Sequence, residues 1–150
     1  MPFLLVAAVL LLMLVIGTII AGRQISIGPF DEEPPNDAKY VAEYRATLAA
    51  PDRTDEIGRP ITDVLDMLRR DRDNVYANAI RQRGDGDDSV AARKFFARAA
   101  NRAALSSAEL SIPDALRTRV MAGQAEVRVL IHRRDRDGRL LVAVSVPPAR

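Results

Sequence analysis

The sequence predicts an α+β protein: a single N-terminal transmembrane helix, followed by a small domain of three to five helices that ends in an antiparallel β-hairpin. Three patterns support this fold class. Residues 3–21 are apolar and uncharged, several later segments repeat apolar residues at helical spacing, and the C-terminal segment alternates apolar and polar residues around a turn. We expect an anchor at residues 1–22, a juxtamembrane strand or linker at residues 23–37, and a soluble domain at residues 38–150.

The N-terminal apolar stretch predicts a membrane anchor that contacts the lipid bilayer through residues 3–21. At ~1.5 Å per residue, a helix of this length matches the ~30 Å core of a bilayer. A cleaved signal peptide is the alternative, but it needs a basic leader, and only Met1 and Pro2 precede the stretch. Since Arg23 lies on the C-terminal flank, the positive-inside rule predicts a single-pass, signal-anchored protein of the cell membrane with a cytoplasmic domain.

Composition limits the chemistry that the chain can perform. It has no cysteine and one histidine, His132, which excludes disulfides, thiolate metal ligands and a multi-histidine metal site within one chain. No glycine-rich phosphate loop or dinucleotide fingerprint occurs. We therefore expect no catalytic residue, no metal, no cofactor and no small-molecule substrate. The preference for arginine over lysine indicates a bacterial source with a GC-rich genome.

Three segments of the domain predict helices besides the basic one described next. The first runs from about residue 37 to residue 49, because Val41, Tyr44 and Leu48 fall on one helical stripe. The second runs over residues 60–82, either unbroken or interrupted near residues 71–73. The third begins with a capping box at Ser111 and Asp114 and ends at about Ala122.

Residues 89–105 predict a basic amphipathic helix and supply the candidate binding residues. One face carries apolar side chains: Ala92, Phe95, Phe96, Ala99, Ala100 and Ala103. The opposite face carries only cations: Arg93, Lys94, Arg98 and Arg102. Such a face suits an acidic protein surface, anionic lipid or nucleic acid. The alternative interpretation is that the apolar face belongs to the core and the basic face is merely solvated.

The C-terminal segment predicts a β-hairpin. Apolar residues alternate with polar ones before and after Asp137 and Gly138, which form the dipeptide typical of a two-residue turn. That turn places Ile131 opposite Val144 and Val129 opposite Val146, so that the apolar faces coincide. A strand at residues 24–27 is the candidate for a third strand of the sheet.

These patterns predict a non-enzymatic, membrane-anchored binding or accessory subunit that engages a protein partner. The first alternative is a membrane-tethered domain that binds anionic lipid or nucleic acid through the basic helix. The second is a membrane-anchored hydrolase that pairs Ser106 or Ser107 with Lys94. A lysine in such a pair must be buried to lower its pKa, whereas Lys94 is predicted on the basic face, which disfavours the hydrolase.

Overall fold

The structure is a computed structural model and describes residues 36–81 and 88–149. Four strands lie in these ranges: β1 (Ala38–Leu48), β2 (Glu109–Ser111), β3 (Ala125–Arg134) and β4 (Leu140–Ser145). Four α-helices accompany them: α1 (Val64–Tyr76), α2 (Val90–Phe96), α3 (Ala99–Ala103) and α4 (Asp114–Ala122). Short 3₁₀ helices occupy Ala50–Asp52 and Ala104–Ser107. The α+β class and a C-terminal hairpin are confirmed.

The strands form one sheet in the order β1-β3-β4-β2. β3 pairs antiparallel with both β1 and β4, and β2 pairs parallel with β4. Alternate residues of β1, β3 and β4 are fully buried, and they pack with Leu68 of α1, Phe96 of α2 and Val120 of α4 in one hydrophobic cluster. All helices that contribute to this core therefore cover the same face of the sheet.

Residues 38–48 form a strand, so the helix predicted over residues 37–49 is wrong. The same residues also alternate with a period of two, and Ala42, Tyr44, Ala46 and Leu48 are all buried. A bulge between Tyr40 and Ala42 interrupts the pairing with β3. The apolar residues of this segment fit both the helical period and the strand period. The segment forms a strand because β3 is buried and pairs with a neighbouring strand on both sides.

The predicted hairpin is present, but its register differs from the prediction by two residues. Val129 lies opposite Val144, and Ile131 lies opposite Val142. The turn contains four residues, since the Arg134 amide donates to the Arg139 carbonyl at 2.9 Å. A shift of two residues leaves every side chain on its predicted face, because side chains alternate with a period of two.

The helix predicted over residues 60–82 is shorter and begins later. Asp63 caps α1 by accepting hydrogen bonds from the amides of Leu65 at 2.8 Å and Asp66 at 3.2 Å. No break occurs at residues 71–73. The helix ends at Tyr76, and Ala79 then adopts a positive φ of 56°, which a continuing helix does not allow.

The predicted helix over residues 89–105 is two helices. Ser89 caps α2 by accepting from the Ala92 amide at 3.0 Å, and the chain turns at Ala97 and Arg98 before α3 begins. Arg98 has an extended backbone, with φ −91° and ψ 124°. The turn changes the orientation of α3 relative to α2. The two helices therefore do not share the continuous basic and apolar faces that were predicted for a single helix.

In the part of the chain that the structure describes, no helix has the length and the apolar composition needed to cross a bilayer. On this finding the predicted fold class, with its single-pass transmembrane helix, is corrected to a small α+β domain for the described residues, which give the predicted signal anchor and the predicted cell-membrane location no support. The predicted anchor and the predicted strand at residues 24–27 lie outside the described residues.

Candidate functional site

Arg102, one of the four predicted binding residues, belongs to the core. Its side chain is buried, and its Nε donates to Asp73 Oδ1 at 2.6 Å. Its Nη1 donates to the Phe96 carbonyl at 2.7 Å, close to where α2 ends. Arg102 therefore ties α3 to both α1 and α2, and it is not available to a partner.

The other three predicted residues, Arg93, Lys94 and Arg98, are exposed. None of them forms an ion pair within residues 36–81 and 88–149, although Arg93 donates to the Asp88 carbonyl at 2.7 Å. The predicted apolar face is confirmed only in α2, where Ala92, Phe95 and Phe96 are buried; its α3 members are exposed: Ala99, Ala100 and Ala103. The basic surface is thus smaller than the sequence suggested.

The residues predicted for a hydrolase do not form a catalytic pair. Ser106 Oγ donates to Asp66 Oδ1 at 2.6 Å, and Ser107 Oγ donates to the Ala104 carbonyl at 3.2 Å. Lys94 is exposed on α2, so burial does not activate it. Within the described ranges, no three histidine or acidic residues converge as metal ligands.

A charged cluster that the sequence did not predict lies inside the core. Arg72 of α1 is completely buried, and its Nε donates to Asp71 Oδ2 at 2.7 Å. Its Nη1 donates to Asp88 Oδ1 at 2.9 Å, which joins α1 to the segment that leads into α2. The guanidinium carbon also lies 4.1 Å from the centroid of the Tyr44 ring, a cation–π contact.

The cluster has the properties of a buried ion-pair network that links elements of the fold. Burial disfavours the charged form of Arg72, but Asp71, Tyr44 and Asp88 raise its pKa above the usual arginine value. Tyr76 Oη donates to Asp88 Oδ2 at 2.5 Å, and burial together with this carboxylate raises the pKa of Tyr76. Both groups therefore hold their protons at neutral pH. The one sequence signal was the run of charges at residues 69–73 inside an apolar helical stripe.

The face of the sheet that points away from the helices is the larger candidate surface. We call it the outer face, and it comprises Tyr40, Glu43, Arg45, Glu126, Arg128, Leu130, His132, Leu141, Ala143 and Ser145. Apart from exposed Tyr40, these residues are half-buried, whereas their neighbours on the helix side are buried. No described helix packs on the outer face.

The centre of the outer face is apolar. Leu130 of β3 lies opposite Ala143 of β4, and His132 lies opposite Leu141. The Tyr40 ring, which is 53% exposed, meets the His132 ring edge-on with 6.1 Å between centroids. Partial burial lowers the pKa of His132, so the imidazole is neutral at pH 7 and adds to the apolar centre.

Ion pairs border this apolar centre. Arg128 Nε donates to Glu43 Oε1 at 2.7 Å, and that hydrogen bond chiefly lowers the pKa of Glu43. Towards the hairpin turn, Arg134 pairs with Glu109 and lies 3.3 Å from Asp137 Oδ2. The outer face therefore has an apolar middle and charged margins, an arrangement common in protein contact surfaces.

No protein-family model, no curated protein and no solved structure matches the chain. Its function is therefore inferred from the geometry of the described residues.

Proposed function

We propose that this protein is a non-enzymatic binding subunit whose outer face contacts a protein partner. The observation that carries the proposal is the one-sided placement of the helices, which leaves an apolar centre on the other side of the sheet. The proposal keeps the predicted protein partner, but moves the contact from the basic helix to the sheet.

The chemistry of the side chains on the outer face supports a protein contact there. A sheet covered on one side normally presents polar residues to water on the other. Here Leu130, Leu141 and Ala143 are contiguous across two strands, with Tyr40 and His132 beside them. Covering such a group stabilises a complex by ~25 cal/mol for each Å² of apolar surface removed from water.

The size of the outer face supports a reversible contact. At ~3.3 Å per residue and ~4.8 Å per strand, the 11 residues of β1, the 10 residues of β3 and the 6 residues of β4 together present roughly 400 Å². A stable complex typically buries ~800 Å² on each partner. A partner that covers the outer face alone would therefore bind transiently, as regulatory and accessory proteins do.

The surface can be tested by site-specific photo-crosslinking in the cells that make the protein. Leu141→p-benzoylphenylalanine places the crosslinker in the apolar centre, and Thr118→p-benzoylphenylalanine places it on the exposed side of α4 as the matched control. We expect one defined protein to be crosslinked from position 141 and not from position 118.

A second, disrupting substitution then shows whether the crosslink depends on a specific contact or only on proximity. Ala143→Arg adds a charge to the apolar centre and should abolish the crosslink from position 141, while Ser107→Arg on the helix side should preserve it. Crosslinking only to another copy of the chain, or equally from positions 141 and 118, would contradict the proposal.

A further inference from the structure

The chain crosses one end of the outer face after β4 and forms a pocket there. Arg45 of β1 donates through Nη2 to the Pro148 carbonyl at 3.2 Å, which holds residues 146–149, here called the tail, across the sheet. The pocket has a volume of about 340 Å³ and lies between the tail, Arg45, Glu126 and Arg119 near the end of α4. That volume falls at the lower end of the range for small-molecule sites.

Two guanidinium groups of this pocket are available to a ligand. Arg119 is exposed, and its side chain makes no hydrogen bond or ion pair within the described ranges. Arg45 donates its one side-chain hydrogen bond within the described ranges to a carbonyl oxygen, and no described carboxylate lies within ion-pair distance of it, although its charge helps to lower the pKa of Glu43. A guanidinium is a planar fork of donors that matches the two oxygens of a carboxylate.

The rest of the lining limits the ligand further. Glu126 opposes the two arginines, so the three charged side chains sum to a single positive charge, which suits a monoanion better than a phosphate dianion. Val146 lies in the wall and is 55% exposed, so it offers apolar surface to a ligand. The complementary ligand therefore combines one carboxylate with an apolar group.

We propose that this pocket binds an organic monocarboxylate with an apolar substituent, through Arg45 and Arg119 on the carboxylate and the tail on the substituent. The free acid of an acylated amino acid and the C-terminal residue of a peptide share this chemistry. The proposal goes beyond the protein contact on the outer face and does not depend on it: Arg45 and Glu126 also belong to one end of that face, but the ligand is inferred from the pocket lining and not from a protein contact.

Isothermal titration calorimetry of the full chain tests the proposal with N-acetyl-leucine and with its uncharged amide. We expect the acid to bind and the amide not to bind. Arg119→Gln should lower the affinity for the acid by about tenfold or more, since a hydrogen bond to a charged group is lost. Arg117→Gln, an exposed arginine on the same helix that does not line the pocket, should leave the affinity unchanged.

Arg119→Gln is the decisive variant because Arg45→Gln would also release the tail from Pro148. A tripeptide ending in leucine separates the two sources: tighter binding than the free acid identifies a peptide terminus, and weaker binding identifies a small acid. Absence of binding, equal binding of the amide, an unchanged affinity in Arg119→Gln, or equal binding of inorganic phosphate would each overturn the proposal.

Discussion

Arg72 and Arg102 show that a charged residue type does not by itself place a side chain at the surface. Arg102 was predicted on an exposed basic face, yet it is nearly fully buried, and Arg72, for which the sequence made no prediction, is fully buried. Each is matched by carboxylates from another part of the chain, Asp88 for Arg72 and Asp73 for Arg102. Burying a charge is expensive unless it is paired and hydrogen-bonded, so these pairs must form together with the core.

The Arg72 cluster predicts a large loss of stability when its cation is removed. Arg72→Met keeps much of the side-chain volume but takes the guanidinium away from two buried carboxylates, so we expect it to destabilise the fold by ~3–5 kcal/mol. Chemical denaturation of the full chain measures the difference. The control Arg98→Met, at an exposed arginine, should change the free energy of unfolding by less than about 0.5 kcal/mol.

If Arg72→Met lowered the free energy of unfolding by less than about 1 kcal/mol, a structural role for the Arg72 cluster would be contradicted, since removing an interaction that holds the core together should cost more.

At the scale of elements, tertiary partners decide several ends and connections. α4 has no side-chain cap at its N-terminus, but Arg53 binds its C-terminal end by donating through Nη1 to the carbonyls of Val120 at 2.5 Å and Gly123 at 2.9 Å. Arg53 follows the first 3₁₀ helix, far from α4 in sequence. The hairpin turn, by contrast, is local: Asp137 Oδ1 accepts from the Arg139 amide at 3.0 Å.

The hairpin turn gives a test of backbone conformation. Gly138 has a φ of +70°, which a side chain disfavours, whereas Gly123 has an extended φ of 175°; an added Cβ meets no atom within 4 Å at either position. We expect Gly138→Ala to cost ~1 kcal/mol of unfolding free energy and Gly123→Ala to be neutral or slightly stabilising. Thermal denaturation of the two variants compares them directly, and equal effects would contradict the four-residue turn.

At the scale of the whole molecule, the sheet is assembled from distant segments. β1 pairs with β3 across most of the domain, and Ala38 lies opposite Arg134. β3 is central and pairs with β1 on one side and β4 on the other, whereas β2 is a three-residue edge strand. Stability should therefore be distributed unevenly over the strands.

Native-state hydrogen exchange tests this distribution. The amides of β3 at Val129 and Ile131 should exchange slowest, because their opening requires the loss of both neighbouring strands. The amides of β2 should exchange faster by local opening, since only β4 holds that strand. Equal protection of β2 and β3 would show that the sheet opens only as a unit and would contradict the prediction.

The sequence by itself determined the α+β class, the hairpin and its faces, the C-terminal helix before it, and the lack of cysteine and of a second histidine. These features depend on local periodicity, turn residues and composition, which neighbouring residues specify. Only the tertiary structure decided that residues 38–48 join the sheet, that the basic helix bends at Arg98, and that Arg102 is buried. Those outcomes depend on contacts between distant residues. A strand forms where a neighbouring strand needs a partner, and an arginine is buried where a carboxylate from another element meets it.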